Sequence, residues 1–128
     1  MTYYLARTLP ISFEDALLRT KEALKKEGFG VLTDIDVRET LKAKIGVDFP
    51  NYRILGACNP ALAHEALKLE RLVGTMLPCN VVVRAAGEGQ TEVAAIDPVA
   101  SMQAIDNPAL KIAAQQVKSK LERVIASI

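Results

Sequence analysis

A chain of 128 residues, half of them hydrophobic, has the size and apolar content of one ordinary domain with one core. With no Trp, three Tyr and three Phe, that core must be built from Leu, Ile, Val and Ala. The formal charge is +1, from 16 basic and 15 acidic residues that are interspersed, so the chain lacks the basic patch and aromatic platform by which a nucleic-acid binder is recognised.

Met1 to Pro10 shows no basic start followed by an apolar run, so no signal peptide is read there. Apolar runs fall far short of the ~20 residues that a membrane span needs. Two cysteines without a signal are expected as free thiols in a reducing cytoplasm.

Thr2 to Thr8 reads as an opening strand that Pro10 ends. Ser12 is placed to cap a helix, with Asp15 where a capping box prefers Glu or Gln. Phe13, Ala16, Leu17, Thr20 and Leu24 follow at helical spacing, and Gly28 supplies the stop. Phe29 to Asp36 is a second strand, Val37 to Ile45 a short charged helix, and 46–51 a loop from which Phe49 is expected to fold back onto the core.

Tyr52 to Cys58 is the third strand. Asn59-Pro60 then opens a helix, because the Asn side chain accepts from free backbone amides and Pro is pre-set for the first helical position. Its apolar face is expected to comprise Leu62, Ala63, Ala66, Leu67, Leu69 and Val73, with Gly74 as the stop. Strands over Asn80–Ala86 and Thr91–Ile96 flank a glycine-rich hairpin turn at 87–90. Asp97-Pro98 ends the last strand, Val99 to Ile105 makes a helical turn, and Asn107-Pro108 opens a long amphipathic C-terminal helix through Leu110, Ala113, Ala114, Val117, Leu121, Val124, Ile125 and Ile128. The order β-α-β-β-α-β-β-α fits an α+β domain with helices packed on one face of a sheet.

Chemistry concentrates between Arg53 and Arg84, which hold both cysteines and the only histidine. Cys58 precedes a helix N-terminus, where free amides and the helix dipole favour a thiolate; equally, Cys is among the most often buried residue types. Cys79 enters the next strand and can face Cys58, as a dithiol or as half of a soft-metal site. His64 would complete a Cys-His-Cys set for a metal, although its spacing from Cys58 and Cys79 matches no zinc signature and a solvated helix face explains it better. Asn59 and Asn107 are explained as caps. Asn80 has no such role and is free to bond a ligand. Asp34, Asp36 and Asp97 fall near strand ends, where carboxylates can gather around a cation or act as acid and base. There is no phosphate-binding loop, nucleophile elbow or paired-histidine metal motif, and no motif names a cofactor.

The stretches Tyr52–Pro60 (Y-R-I-L-G-A-C-N-P), Met76–Val83 (M-L-P-C-N-V-V-V) and Asp97-Pro98 resemble the uncharacterised bacterial and archaeal family called domain of unknown function 302, as do Thr33–Asp36 and the start of the first helix. The resemblance runs along essentially the whole chain. It implies a curved, mainly antiparallel five-stranded sheet of the TATA-binding-protein-like class and association as homodimers. It implies no activity, and the fold name carries no DNA binding with it.

Two function classes therefore stay open. One is a non-enzymatic homodimeric module that binds a small ligand or a partner near Cys58, Asn59, Cys79 and Asn80. The other is a thiol-based redox or soft-metal centre on Cys58 and Cys79, with His64 as a further ligand. A hydrolase or isomerase using the aspartates would be a third class, and no motif supports it. Ala104, Ile105, Ala109 and Ile112 exceed what one sheet face absorbs, and that surplus is expected at the dimer interface.

Overall fold

The computed structural model describes residues 2–128. Five strands, β1 (Tyr4–Leu9), β2 (Gly30–Asp36), β3 (Tyr52–Cys58), β4 (Cys79–Ala85) and β5 (Thr91–Ile96), form one sheet in the order β1-β5-β4-β3-β2. Every pairing is antiparallel. The α+β expectation holds, with β2 to β5 as a meander and β1 added beside β5.

That order makes β1 and β2 the two edges, so the helix between them must cross the sheet. This is α1 (Phe13–Lys26), capped by Ser12 as expected and buried through Ala16, Thr20, Ala23 and Leu24. The C-terminal helix α5 (Pro108–Ser127) lies on the same face, and the main core joins the two to Leu55, Val81, Val83 and Val93 of the central strands. Arg7 of β1 donates to the carbonyls of Ala126 at 3.0 Å and Ile128 at 3.1 Å, satisfying the orphan acceptors at the end of α5.

The connections are short. Helix α2 (Val37–Ile45) joins β2 to β3, is capped by Asp36, and stops at Gly46, whose φ of 67° lies in the left-handed region. A helix α3 (Pro60–Leu69), a 3-10 turn (Val73–Met76) and a four-residue helix α4 (Pro98–Ser101) complete the chain.

Three expectations are corrected. The helix opened by Asn59-Pro60 stops at Leu69, before Gly74, because Glu70 turns to extended backbone and Asn107 caps the Leu69 carbonyl with a 3.0 Å hydrogen bond. Leu67 and Leu69 consequently stay exposed, since so short a helix buries only Ala66 fully. Phe49 does not return to the core: it stays exposed, and its ring meets Tyr52 edge-on at 6.1 Å. Strand β4 begins at Cys79, one residue earlier than read.

Candidate functional site

The two Asn-Pro helix starts do more than cap. Asn59 accepts from the Leu62 amide at 3.3 Å, and its Nδ2 reaches the Glu27 carbonyl at 3.5 Å, tying the start of α3 to the end of α1. Gly28 is required there: its φ is +84°, and a Cβ would come within 3.0 Å of Asn59 Nδ2. Asn107 likewise accepts from the Leu110 amide at 3.2 Å while donating to Leu69. Helices α3 and α5 are therefore held side by side on the helix face of the sheet.

Between them lies a cavity of about 40 Å³. Its floor is the end of β3 and the start of β4, namely Ala57, Cys58 and Cys79, with Leu77 and Pro78 leading in. Leu62, Ala63 and Ala66 wall one side, and Leu110, Ala113 and Ala114 the other. Four of those wall residues are alanine, which is why the facing helices leave space that larger side chains would fill. A void of this size exceeds the room that one water needs, yet the lining offers water almost no partners. It is shaped for an apolar group of a few atoms.

Of the expected site residues, the fold gathers Cys58, Asn59 and Cys79 at this cavity. Cys79 is buried, and that burial, reinforced by the neighbouring Cys58, pushes its thiol up to about 11. It is a neutral thiol at physiological pH. Cys58 is half-buried, and both thiols are free.

Asn80 is not at the cavity. Strand alternation sends it to the opposite face of the sheet, exposed and in register with Gly56. Asn80 shares that uncovered face with Tyr4, Tyr52, Val82, Arg84 and Ile96. His64 sits on the exposed side of α3 and does not line the cavity. Among the described residues no group of three His, Cys, Asp or Glu side chains is placed to hold a metal ion.

The aspartates do not converge on one site either. Asp34 accepts from Arg53 at 2.9 Å and Lys21 at 3.1 Å, and Asp36 meets Arg53 at 3.4 Å, all beside α1 at the β2 edge. Burial pushes the Asp34 carboxyl up, but the bonds from Lys21 and Arg53 outweigh it and the net shift is downward. Asp97 caps α4 through the Val99 and Ala100 amides and pairs with Lys118 of α5 at 3.0 Å. Each carboxylate is matched by a cation of the chain itself, which leaves no charge deficit for a metal to fill.

Sequence reading missed the whole α5 wall of the cavity, together with Met102. A signal was present, in the alanine pairs Ala63/Ala66 and Ala113/Ala114, but only the packing of α3 on α5 gives it meaning.

The chain matches the family model described as Domain of unknown function DUF302 over residues 5–128. Among solved structures it is similar to the crystal structure of an uncharacterized conserved protein DUF302 from Bacillus stearothermophilus, with a TM-score of 0.91 and 32% identity. That alignment covers 99% of this chain and 98% of the other. No curated protein matches.

Proposed function

The chain belongs to the DUF302 family, and we propose that it acts there as a non-enzymatic, homodimeric binding module whose ligand places a small apolar group between α3 and α5. The observation that carries this reading is the apolar cavity with Cys79 in its floor as a neutral thiol, a lining with no acid-base pair and no charge. Such a site can hold a ligand by excluding water, and its lining carries no acid-base pair with which to transform it.

The test uses straight-chain alcohols from n-propanol to n-hexanol, followed by the methyl NMR signals of Ala66, Met102 and Ala114. Affinity should rise by roughly fourfold for each added methylene that the cavity buries, the factor that ~0.8 kcal/mol of buried CH₂ gives, and level off once the cavity is full. Ala113→Leu, which puts an apolar branch into the cavity from a half-buried position, should abolish the shifts at a stability cost of no more than about 1–3 kcal/mol. Affinity that ignores chain length, or survives Ala113→Leu, would remove this reading.

The dimer rests on surface left uncovered. Ile112 is 65% exposed, with Ala104 and Ala109 exposed as well, whereas Ile105 packs in the second core cluster with Val73, Met102 and Leu110. A broader apolar surface lies on the other side of the molecule, where Tyr4, Tyr52, Ile54, Val82 and Ile96 stand on the sheet face that no helix covers. We place the dimer contact on this sheet face. Sedimentation velocity at micromolar concentration should report a dimer, and Val82→Glu should yield a folded monomer. A wild-type monomer would defeat the assignment.

A further inference from the structure

The two cysteines are placed so that they can react with each other. Register sets Cys79 directly opposite Ala57, one residue from Cys58. Opposed strand positions lie roughly 5 Å apart and successive residues advance roughly 3.4 Å, so the Cys58 and Cys79 α-carbons are separated by about 6 Å. Disulfides span about 4.4–6.8 Å between α-carbons. Regular alternation would send Cys58 to the side away from Ala57. It is the last residue of β3, however, where the chain bends into α3, and there it lines the same cavity as Cys79.

Accessibility differs between the two. Cys58 is half-buried, whereas Cys79 is 7% exposed. An accessible thiol beside a protected one is the arrangement in which the first reacts with an external disulfide and the second resolves the product. Cys58 also influences Cys79 electrostatically, as its contribution to the raised Cys79 thiol shows.

We propose that Cys58 and Cys79 form a reversible disulfide across the cavity floor, and that this bond closes the binding site. The claim rests on the cavity being that site. The oxidant is a low-molecular-weight disulfide such as oxidised glutathione. Cys58 sulfur attacks one glutathione sulfur, breaking the S–S bond and expelling a glutathione thiolate, and the Cys58 proton leaves with it. Cys79 sulfur then attacks Cys58 Sγ and expels the second glutathione, which takes the Cys79 proton. Two protein thiols are oxidised to one disulfide, and one glutathione disulfide is reduced to two thiols. Bonding to Cys79 draws Cys58 Sγ inward over the floor, and a void of about 40 Å³ is small enough for that movement to fill.

The full chain is incubated with oxidised glutathione and read by intact mass, by a non-reducing peptide map, and by n-hexanol titration before and after oxidation. Wild-type protein should lose two hydrogens without keeping an adduct, and the map should show the Cys58 and Cys79 peptides joined. Cys79→Ser should retain one glutathione on Cys58, and Cys58→Ser should stay unmodified. Oxidised wild type should bind n-hexanol at least about tenfold more weakly, and a reductant should restore it. A lasting glutathione adduct on wild type, or no reaction, overturns the disulfide; the wild-type map decides this even if a variant fails to fold. A disulfide that leaves n-hexanol affinity unchanged overturns the gating. Failure of the reduced protein to bind n-hexanol overturns the cavity reading, and the gating with it, while mass and map still judge the disulfide separately.

Discussion

Leu121→Ala is expected to lower the unfolding free energy by about 3–5 kcal/mol. Leu121 is fully buried on α5, in the cluster that joins this helix to α1 and the central strands. Truncation removes the transfer free energy of three carbons and leaves a hole that the surrounding elements cannot close. They are held by four antiparallel pairings beneath and by Arg7 on the last turn of α5. Against a total stability of about 5–15 kcal/mol, this loss takes the domain close to its limit. Urea unfolding followed by circular dichroism supplies the measurement, with Ile112→Ala as the control, since Ile112 is on the same helix but exposed. The control should stay within about 0.5 kcal/mol. Similar losses in the two variants would mean that α5 is not docked as described.

The second large effect is a pH dependence with one origin. The Cys79 thiol is raised from 9.0 to about 11 by burial first and by Cys58 second. Below pH 9 both folded and unfolded chains hold the proton, and the stabilisation is complete. Between 9 and 11 the unfolded chain gives up its proton while the folded chain keeps it, so unfolding gains ground as pH rises. The loss should reach on the order of 2–3 kcal/mol by pH 11 and then level off. Lysine and tyrosine also titrate there, and the informative quantity is therefore the difference between wild type and Cys79→Ala. That difference should be flat to about pH 9 and then shrink as the wild type alone loses stability. A difference independent of pH would place Cys79 in water. Alkylation gives the same answer kinetically: Cys79 should react roughly a hundredfold more slowly in the folded protein than in urea, from the two-unit shift alone.

Much of this fold was legible because its signals are local. Asn59-Pro60 and Asn107-Pro108 announce helix starts wherever they occur, since a side-chain acceptor and a fixed φ act over three or four residues. The glycines at 87 and 89 carry φ values of 125° and 68°, so a tight hairpin between β4 and β5 could be read from the residues alone. The strand before that hairpin reads as Asn80–Ala86 in the sequence and spans Cys79–Ala85, so its position in the chain was legible to within one residue.

The end of α3 was misread because the apolar period continues to Val73, while the stop is imposed by Asn107, 38 residues beyond Leu69. Phe49 was misread because an aromatic ring in a loop carries no record of whether its partner is the core or, as here, a half-buried neighbour, Tyr52.

The candidate site divides along the same line. Residue type at short spacing was enough for the order of the secondary elements, the aliphatic character of the core, the caps and the family, though not for the end of α3. The sequence could bring Cys58, Asn59 and Cys79 under suspicion together, but it could not separate them from Asn80. Only the pairing of β3 with β4 decides that Cys79 faces the cavity and Asn80 the open side, because one step along a strand reverses the side chain's direction. Only the packing of α3 against α5 turns four alanines into a cavity, and only the approach of Lys21, Arg53 and Lys118 turns three suspect aspartates into matched charges. A void and an ion pair are properties of residues far apart in the chain, so their physical cause exists only once the chain has folded.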